Sequence, residues 1–354
     1  MNATTVFTET THPEASTHKR GCLFMISRGL KGLGITLLAL LILGFAFQTV
    51  ASATDKRAYS PRGQLYSVDG HQMHLYCVGE GSPAVILEAG GYAESLWWVR
   101  IQAQLAKVTQ VCAYDRPGMG WSEPASSPRD PDTIVGELHT LLNEAGIKPP
   151  YVLAGHSYGA ILVRVFAHQY PADVSGLVLV DSGLVRPAHF ASDAEFQSWK
   201  SGNDVLQALL WGMTRFGVMR LIGGGDFSGW GYPADVVPQL VSLHSSNQAF
   251  DTYYAEGFPA RPALQDASAS AQDFGALPLS VLWAGEQPPL SAADMELFEQ
   301  AKQEIAAYST NSASRDIAGA NHGSILGTEQ YAQQVSNAVQ QVIEAAKTGK
   351  PLTQ

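Results

Sequence analysis

Charged residues are scarce in this 354-residue chain, at 15% of the total, and cysteines number only three. No internal repeat, glycine-rich phosphate loop or Cys/His metal spacing occurs, so the expected complement is no cofactor and no metal. Basic residues are outnumbered, 22 Lys and Arg against 32 Asp and Glu, for a net charge of −10. Lys19, Arg20, Arg28 and Lys31 exceed Glu9 and Glu14 before residue 54, so the remainder is more acidic than the whole. Such a body repels a phosphate backbone and argues against nucleic acid as a partner. What is plentiful is apolar, 45% of residues, enough for the core of one large α/β domain with insertions.

Residues 1–18, rich in Thr, Ser and His, have no apolar period and read as a disordered tail. Basic residues then precede an uncharged stretch from Gly32 to Thr54, long enough to cross a bilayer. A retained anchor is the preferred reading. A cleaved signal peptide is the alternative, because Ala51-Ser52-Ala53 offers an A-x-A cut after Ala53. Both readings keep the basic side in the cytoplasm and put everything after Asp55 outside it. The expected partners are therefore a membrane, through this segment, and a small molecule. The division expected is a tail at 1–31, anchor or signal at 32–54, linker at 55–62, a core in two parts at 63–183 and 276–346, a helical cap at 184–275 and a tail at 347–354.

Beyond the linker, strand-like and helix-like periods alternate. "QLYSVDGHQMHLYCVG" reads as a hairpin turning at Asp69-Gly70, and "AVILEAGG", "QVCAYD", "YVLAGHS" and "VSGLVLVDS" read as strands with helical segments between them. This alternation predicts a mostly parallel sheet covered on both faces. It stops at residue 184, where Gly- and Pro-punctuated helical pieces begin, and resumes with "PLSVLWAG". The interruption reads as a cap that shapes a pocket above the sheet, with Trp211, Tyr253 and Tyr254 as candidate lining or plain packing.

The strand "YVLAGHS" leads through Gly155-His156-Ser157-Tyr158-Gly159 into a helix, the context in which G-x-S-x-G denotes a nucleophile elbow. A serine hydroxyl is a weak nucleophile until a histidine takes its proton, and that histidine needs a carboxylate to hold its tautomer. His322, in the Gly-flanked "AGANHGSIL" loop after the last strand, is the candidate base. His156 is expected to point away from the nucleophile's face. Two carboxylates compete for the third role: Asp181 at the end of "GLVLVD", and Glu286 after "PLSVLWAG", both at the carboxyl edge of the sheet. Backbone N–H groups of Tyr158 and Gly91 are the candidate oxyanion donors.

Taken together, "LEAGGY", "YDRPGMGWS", "GHSYGA" and "ANHGS" resemble the α/β-hydrolase fold superfamily over residues 63–346, and the combination of "HLYCVGEGSPAVILEAG" with "VCAYDRPGMGWS" and the N-terminal hydrophobic segment resembles a membrane-anchored bacterial branch of serine hydrolases. The resemblance implies an eight-stranded, mostly parallel sheet with helices on both faces and an inserted helical cap. It implies an esterase-like activity through an acyl-enzyme on Ser157; lactone, thioester or amide cleavage, or perhydrolysis, uses the same groups. A noncatalytic ligand-binding receptor on this fold is the rival of another class. Two departures occur. Ala89-Gly90 stands where many members have His-Gly, and Pro288 occupies the usual acid position; some members carry the acid where Asp181 stands. Ser157 at the elbow excludes the nucleophilic aspartate of the superfamily's dehalogenases and epoxide hydrolases. The superfamily's strand order sets the second strand antiparallel beside the fourth, which makes a Cys77–Cys112 disulfide possible in an oxidising compartment.

Overall fold

Apolar residues on successive positions of β3 (Ala84–Glu88) leave no polar face, so this strand can only lie between two helical layers. Ala84 and Ile86 join one core, and Val85 and Leu87 join the other. That two-residue alternation repeats in β6 (Val174–Val180), where Leu177 and Leu179 face one way and Val178 and Val180 the other. The computed structural model describes residues 17–182, 193–257, 269–287 and 291–353.

The sheet has eight strands in the order β1-β2-β4-β3-β5-β6-β7-β8, from β1 (Gln64–Val68), β2 (His71–Val78), β4 (Val111–Tyr114) and β5 (Tyr151–His156) to β7 (Leu279–Ala284) and β8 (Ser312–Ile317). Only β2 runs against its neighbours. The β1–β2 hairpin turns at Asp69 and Gly70, both at positive φ, as a two-residue turn matched to strand twist requires. Cys77 and Cys112 sit opposite one another in the β2–β4 register and are joined by a disulfide.

Helices α3 (Pro131–Glu144) and α4 (Tyr158–Gln169) cover one face, and α2 (Val99–Leu105) covers the other. Between β6 and β7 the chain forms α5 (Asp193–Arg215), α6 (Val218–Leu221), α7 (Val237–His244) and α8 (Asn247–Gly257). Gly217, with a left-handed φ of 74°, separates α5 from α6. After β7 come α9 (Ala292–Ala306), the short α10 (Ser324–Gly327) and α11 (Glu329–Thr348), which packs its apolar stripe of Val335, Val339 and Val342 beside α2.

The N-terminal helix α1 runs from Thr17 to Ala58, longer at both ends than the apolar run alone suggests. It enters the expected tail at Thr17 and absorbs part of the expected linker, because Lys56 and Arg57 lie in its last turn, where cations favour the helix dipole. Residues 27–58 form one stretch long and apolar enough to cross a membrane.

Candidate active site

The segments after β3, β5, β6 and β8 meet at the carboxyl edge of the parallel strands, the place where sites of open α/β sheets gather. Ser157 follows β5 directly. Its φ of 54° and ψ of −119° lie outside the regions open to ordinary side chains, a conformation held by the N–H of Ser157 donating to the Val180 carbonyl at 3.0 Å. The flanking glycines are required by close approach: a Cβ on Gly155 would lie 2.3 Å from the Gly159 carbonyl oxygen, and one on Gly159 would lie 2.5 Å from that of Glu88. Any larger residue would push β3, β5 and α4 apart and lose the turn.

Asp181, the residue after β6, also takes a positive φ, 43°. Its carboxylate is buried and works on both oxygens, Oδ1 accepting from the Ala284 N–H at 3.0 Å and Oδ2 paired with His322 Nδ1 at 2.5 Å. Burial raises its pKa, but hydrogen bonding and charge from His322, with the Ala284 N–H, outweigh it and hold the carboxyl below the usual 3.8. His322 is held by Asp181 while its ring stays 56% exposed, leaving the other nitrogen free to act on an incoming group. Glu286 is exposed, its backbone N–H donating to the Ala320 carbonyl at 2.8 Å, and among the described residues no hydrogen bond joins it to His322. Pro288 lies outside the described residues.

His156 does not point away from this face. Its buried ring lies 4.6 Å from that of His322, and Nε2–H donates to the His322 carbonyl at 3.1 Å. Burial, then the nearby His322, push its pKa down to about 3, so the ring is neutral, supporting the histidine loop from below.

The β3 loop folds over the elbow. A Cβ on Gly90 would lie 3.3 Å from that of Ser157, and one on Gly91 would lie 3.7 Å from that of Tyr158. The Tyr158 N–H is the first amide of α4, among those with no partner inside a helix. Beneath the loop lies a group that the sequence motifs contain but do not reveal. Arg116, 1% exposed, donates to the carbonyls of Ala89 and Gly90, both at 2.7 Å, to Glu88 Oε1 at 2.8 Å, and to both oxygens of Glu256 on α8. Tyr114 closes the cluster by donating to Glu88. Burial pushes Glu88 up to about 7 against the pull of Arg116 and Tyr114.

The cap supplies the walls. Tyr253 stands 3.6 Å from the Cβ position of Gly91, and Trp230 packs so closely on Gly323, beside His322, that a Cβ there would lie 2.3 Å from its indole. Tyr92, His244, Phe227 and Trp97 extend this aromatic wall. Of the cap aromatics singled out from the sequence, Tyr253 reaches the loop after β3, whereas Trp211 and Tyr254 are exposed.

Residues 83–208 match the family described as alpha/beta hydrolase fold. The uncharacterized protein YqjL of Bacillus subtilis is 34% identical over 128 residues, covering 36% of this chain and 51% of that protein. A putative carbamate hydrolase, RutD of Klebsiella pneumoniae, is 34% identical over 110 residues, covering 31% of this chain and 41% of that protein. These matches thus span about half, or less, of the curated relatives. Among solved structures, the epoxide hydrolase CorEH without ligand superposes with a TM-score of 0.60 over 78% of this chain and 96% of its own, at 18% identity. With the eight-stranded sheet and its inserted helices, these likenesses show that the chain has the α/β-hydrolase fold.

Proposed function

We propose that the protein is a membrane-anchored serine hydrolase that cleaves a carboxylic ester, or a related acyl bond, through an acyl-enzyme. The observation that carries the reading is the 2.5 Å contact of Asp181 with His322, at the sheet edge that also presents Ser157 in its strained turn. Asp181 keeps the proton on Nδ1 of His322, so Nε2 is free to take the Ser157 hydroxyl proton as Oγ attacks the acyl carbon. The carbonyl oxygen becomes an oxyanion, held by the N–H groups of Gly91 and Tyr158, each worth about 3–4 kcal/mol in sites of this kind. His322 then returns the proton to the departing alkoxide. Water repeats the sequence on the acyl-enzyme, with His322 again as base, and a carboxylic acid leaves.

Two features support an uncut anchor with the body outside the cytoplasm. Gln48 and Asp55, on opposite sides of the possible cut after Ala53, both bond to the cap, so cleavage would sever a packed helix. A Cys77–Cys112 disulfide suits an oxidising compartment. The test is labelling of the full chain with a fluorophosphonate probe alongside turnover of a short soluble ester. Labelling and turnover are expected in the wild type and absent in Ser157→Ala; equal reactivity in the two would overturn the proposal. Likeness to a putative carbamate hydrolase favours amide or carbamate cleavage as the second reading, separated by running ester, amide and carbamate forms of one acyl group side by side.

A further inference from the structure

The outer half of α1 is not a free tether. Gln48, a polar residue inside the apolar run, is 1% exposed and donates through Nε2 to the Ser245 carbonyl of the cap at 2.9 Å. Arg220 on α6 reaches back to Gln48 Oε1 at 3.3 Å and pairs with Asp55. Backbones approach closely as well: a Cβ on Gly44 would lie 2.7 Å from the Phe216 carbonyl oxygen, and one on Gly217 would lie 2.6 Å from the Phe47 ring. The corner between α5 and α6 is therefore seated against α1 at residues 44–48.

The depth of that contact follows from helix geometry. A hydrocarbon core of about 30 Å takes about 20 helical residues, which, counted from Lys31, ends near Ala51. Residues 44–48 fall short of that boundary by about 5–10 Å, the depth at which interfacial helices bury their apolar faces. The elements brought there carry exposed apolar side chains. Val205, Leu206 and Leu209 line α5, where Trp211 is also exposed, and Leu221 and Ile222, 72% and 65% exposed, end α6. Such a surface is unusual on a body bathed in water and ordinary on one that stands in lipid.

Given a retained α1, we propose that the α5–α6 corner of the cap is embedded in the outer leaflet, and that the enzyme takes a membrane-resident amphiphilic ester from it. The occupant of the apolar face is the bilayer, because that face continues the surface of the spanning helix. The same cap sets Tyr253 against Gly91 and Glu256 on Arg116, so the body standing on the lipid also walls the oxyanion loop. An ester whose chain lies in the leaflet then meets the site without crossing water.

The test uses the full chain in phosphatidylcholine vesicles, with Cys22→Ser and a single environment-sensitive fluorophore on Ile222→Cys or, as control, on Lys350→Cys. Label at 222 is expected to emit to the blue of label at 350 and to be quenched several-fold more by brominated phosphatidylcholine; identical behaviour at the two sites overturns the embedding. Leu221→Asp with Ile222→Asp is then compared on a long-chain ester dissolved in the vesicles and a short ester in water. The ratio of the two rates is expected to fall about tenfold, and an unchanged ratio overturns delivery from the leaflet. Failure of the wild type to turn over the short ester would instead sink the hydrolase reading, with the fluorescence result standing on its own.

Discussion

Asp181→Asn tests the proposed chemistry most sharply, because the two oxygens of Asp181 have different duties. Oδ1 accepts from the Ala284 N–H and Oδ2 faces Nδ1 of His322. An asparagine has one acceptor to offer. If its oxygen stays with Ala284, its NH2 faces Nδ1, which must then be unprotonated, and the proton moves to Nε2, where it blocks transfer from Ser157. If the amide flips, a buried N–H of Ala284 meets an NH2, at a cost of about 1–3 kcal/mol. The first arrangement leaves the wrong tautomer, and kcat is expected to fall by about 10³–10⁴, or about 4–5.5 kcal/mol of barrier. Glu286→Gln, at an exposed position, is expected to stay within about twofold. The assay is turnover of a short ester by folded, purified variants, with thermal unfolding as the control for structure. Asp181→Asn retaining more than about a tenth of wild-type kcat, or a loss confined to Glu286→Gln, would refute the assignment.

Arg116→Met is expected to cost about 3–5 kcal/mol of stability by stranding two buried carboxylates, and, because losing Arg116 moves Glu88 further up from about 7, part of that cost is recovered as the pH falls and Glu88 takes up a proton; an unfolding midpoint that matches wild type at pH 8 would contradict this. His244 is pushed down to about 4, mainly by burial, so the unfolded chain binds protons before the folded one does. Stability should therefore fall from pH 6.5 toward pH 4, by up to about 1.4 kcal/mol per pH unit for this group, and His244→Gln should flatten that slope in thermal unfolding at stepped pH. Cys77→Ser with Cys112→Ser opens a cross-link between residues 35 apart and is expected to lower stability by about 2–4 kcal/mol, read as a shifted urea midpoint.

Much of this was legible in the residues because the constraints are local. A strand, a G-x-S-x-G turn and a helix are contiguous, and the alternation from Gln64 to Val180 records burial between two helical layers. Which carboxylate pairs with His322 was not legible, because Asp181 and Glu286 both follow strands at the same edge. What separates them is the path of the loop after β8, which brings His322 to Asp181 and leaves Glu286 in solvent. Arg116 escaped notice for a related reason. A buried guanidinium needs partners from distant segments, here Glu88 on β3 and Glu256 on α8, and no spacing announces such an encounter. His156 was misread because its contact with His322 crosses 166 residues. Trp211 invited assignment to a pocket, but α5 turns it outward.

The position of Arg116 has one more consequence. One guanidinium holds the carbonyls of Ala89 and Gly90 and, at the same time, a carboxylate of the cap. Withdrawing α8 strips that cation of half its countercharge, so the loop after β3 and α8 are coupled through one buried group. On the proposed reading, in which that loop supplies an oxyanion donor, a substrate that wedges the cap open would loosen the donor and one that fits beneath it would tighten it. If the proposed chemistry holds, selectivity of this kind would act on turnover rather than on affinity, since a poorly fitting substrate could bind and still find the amides out of place.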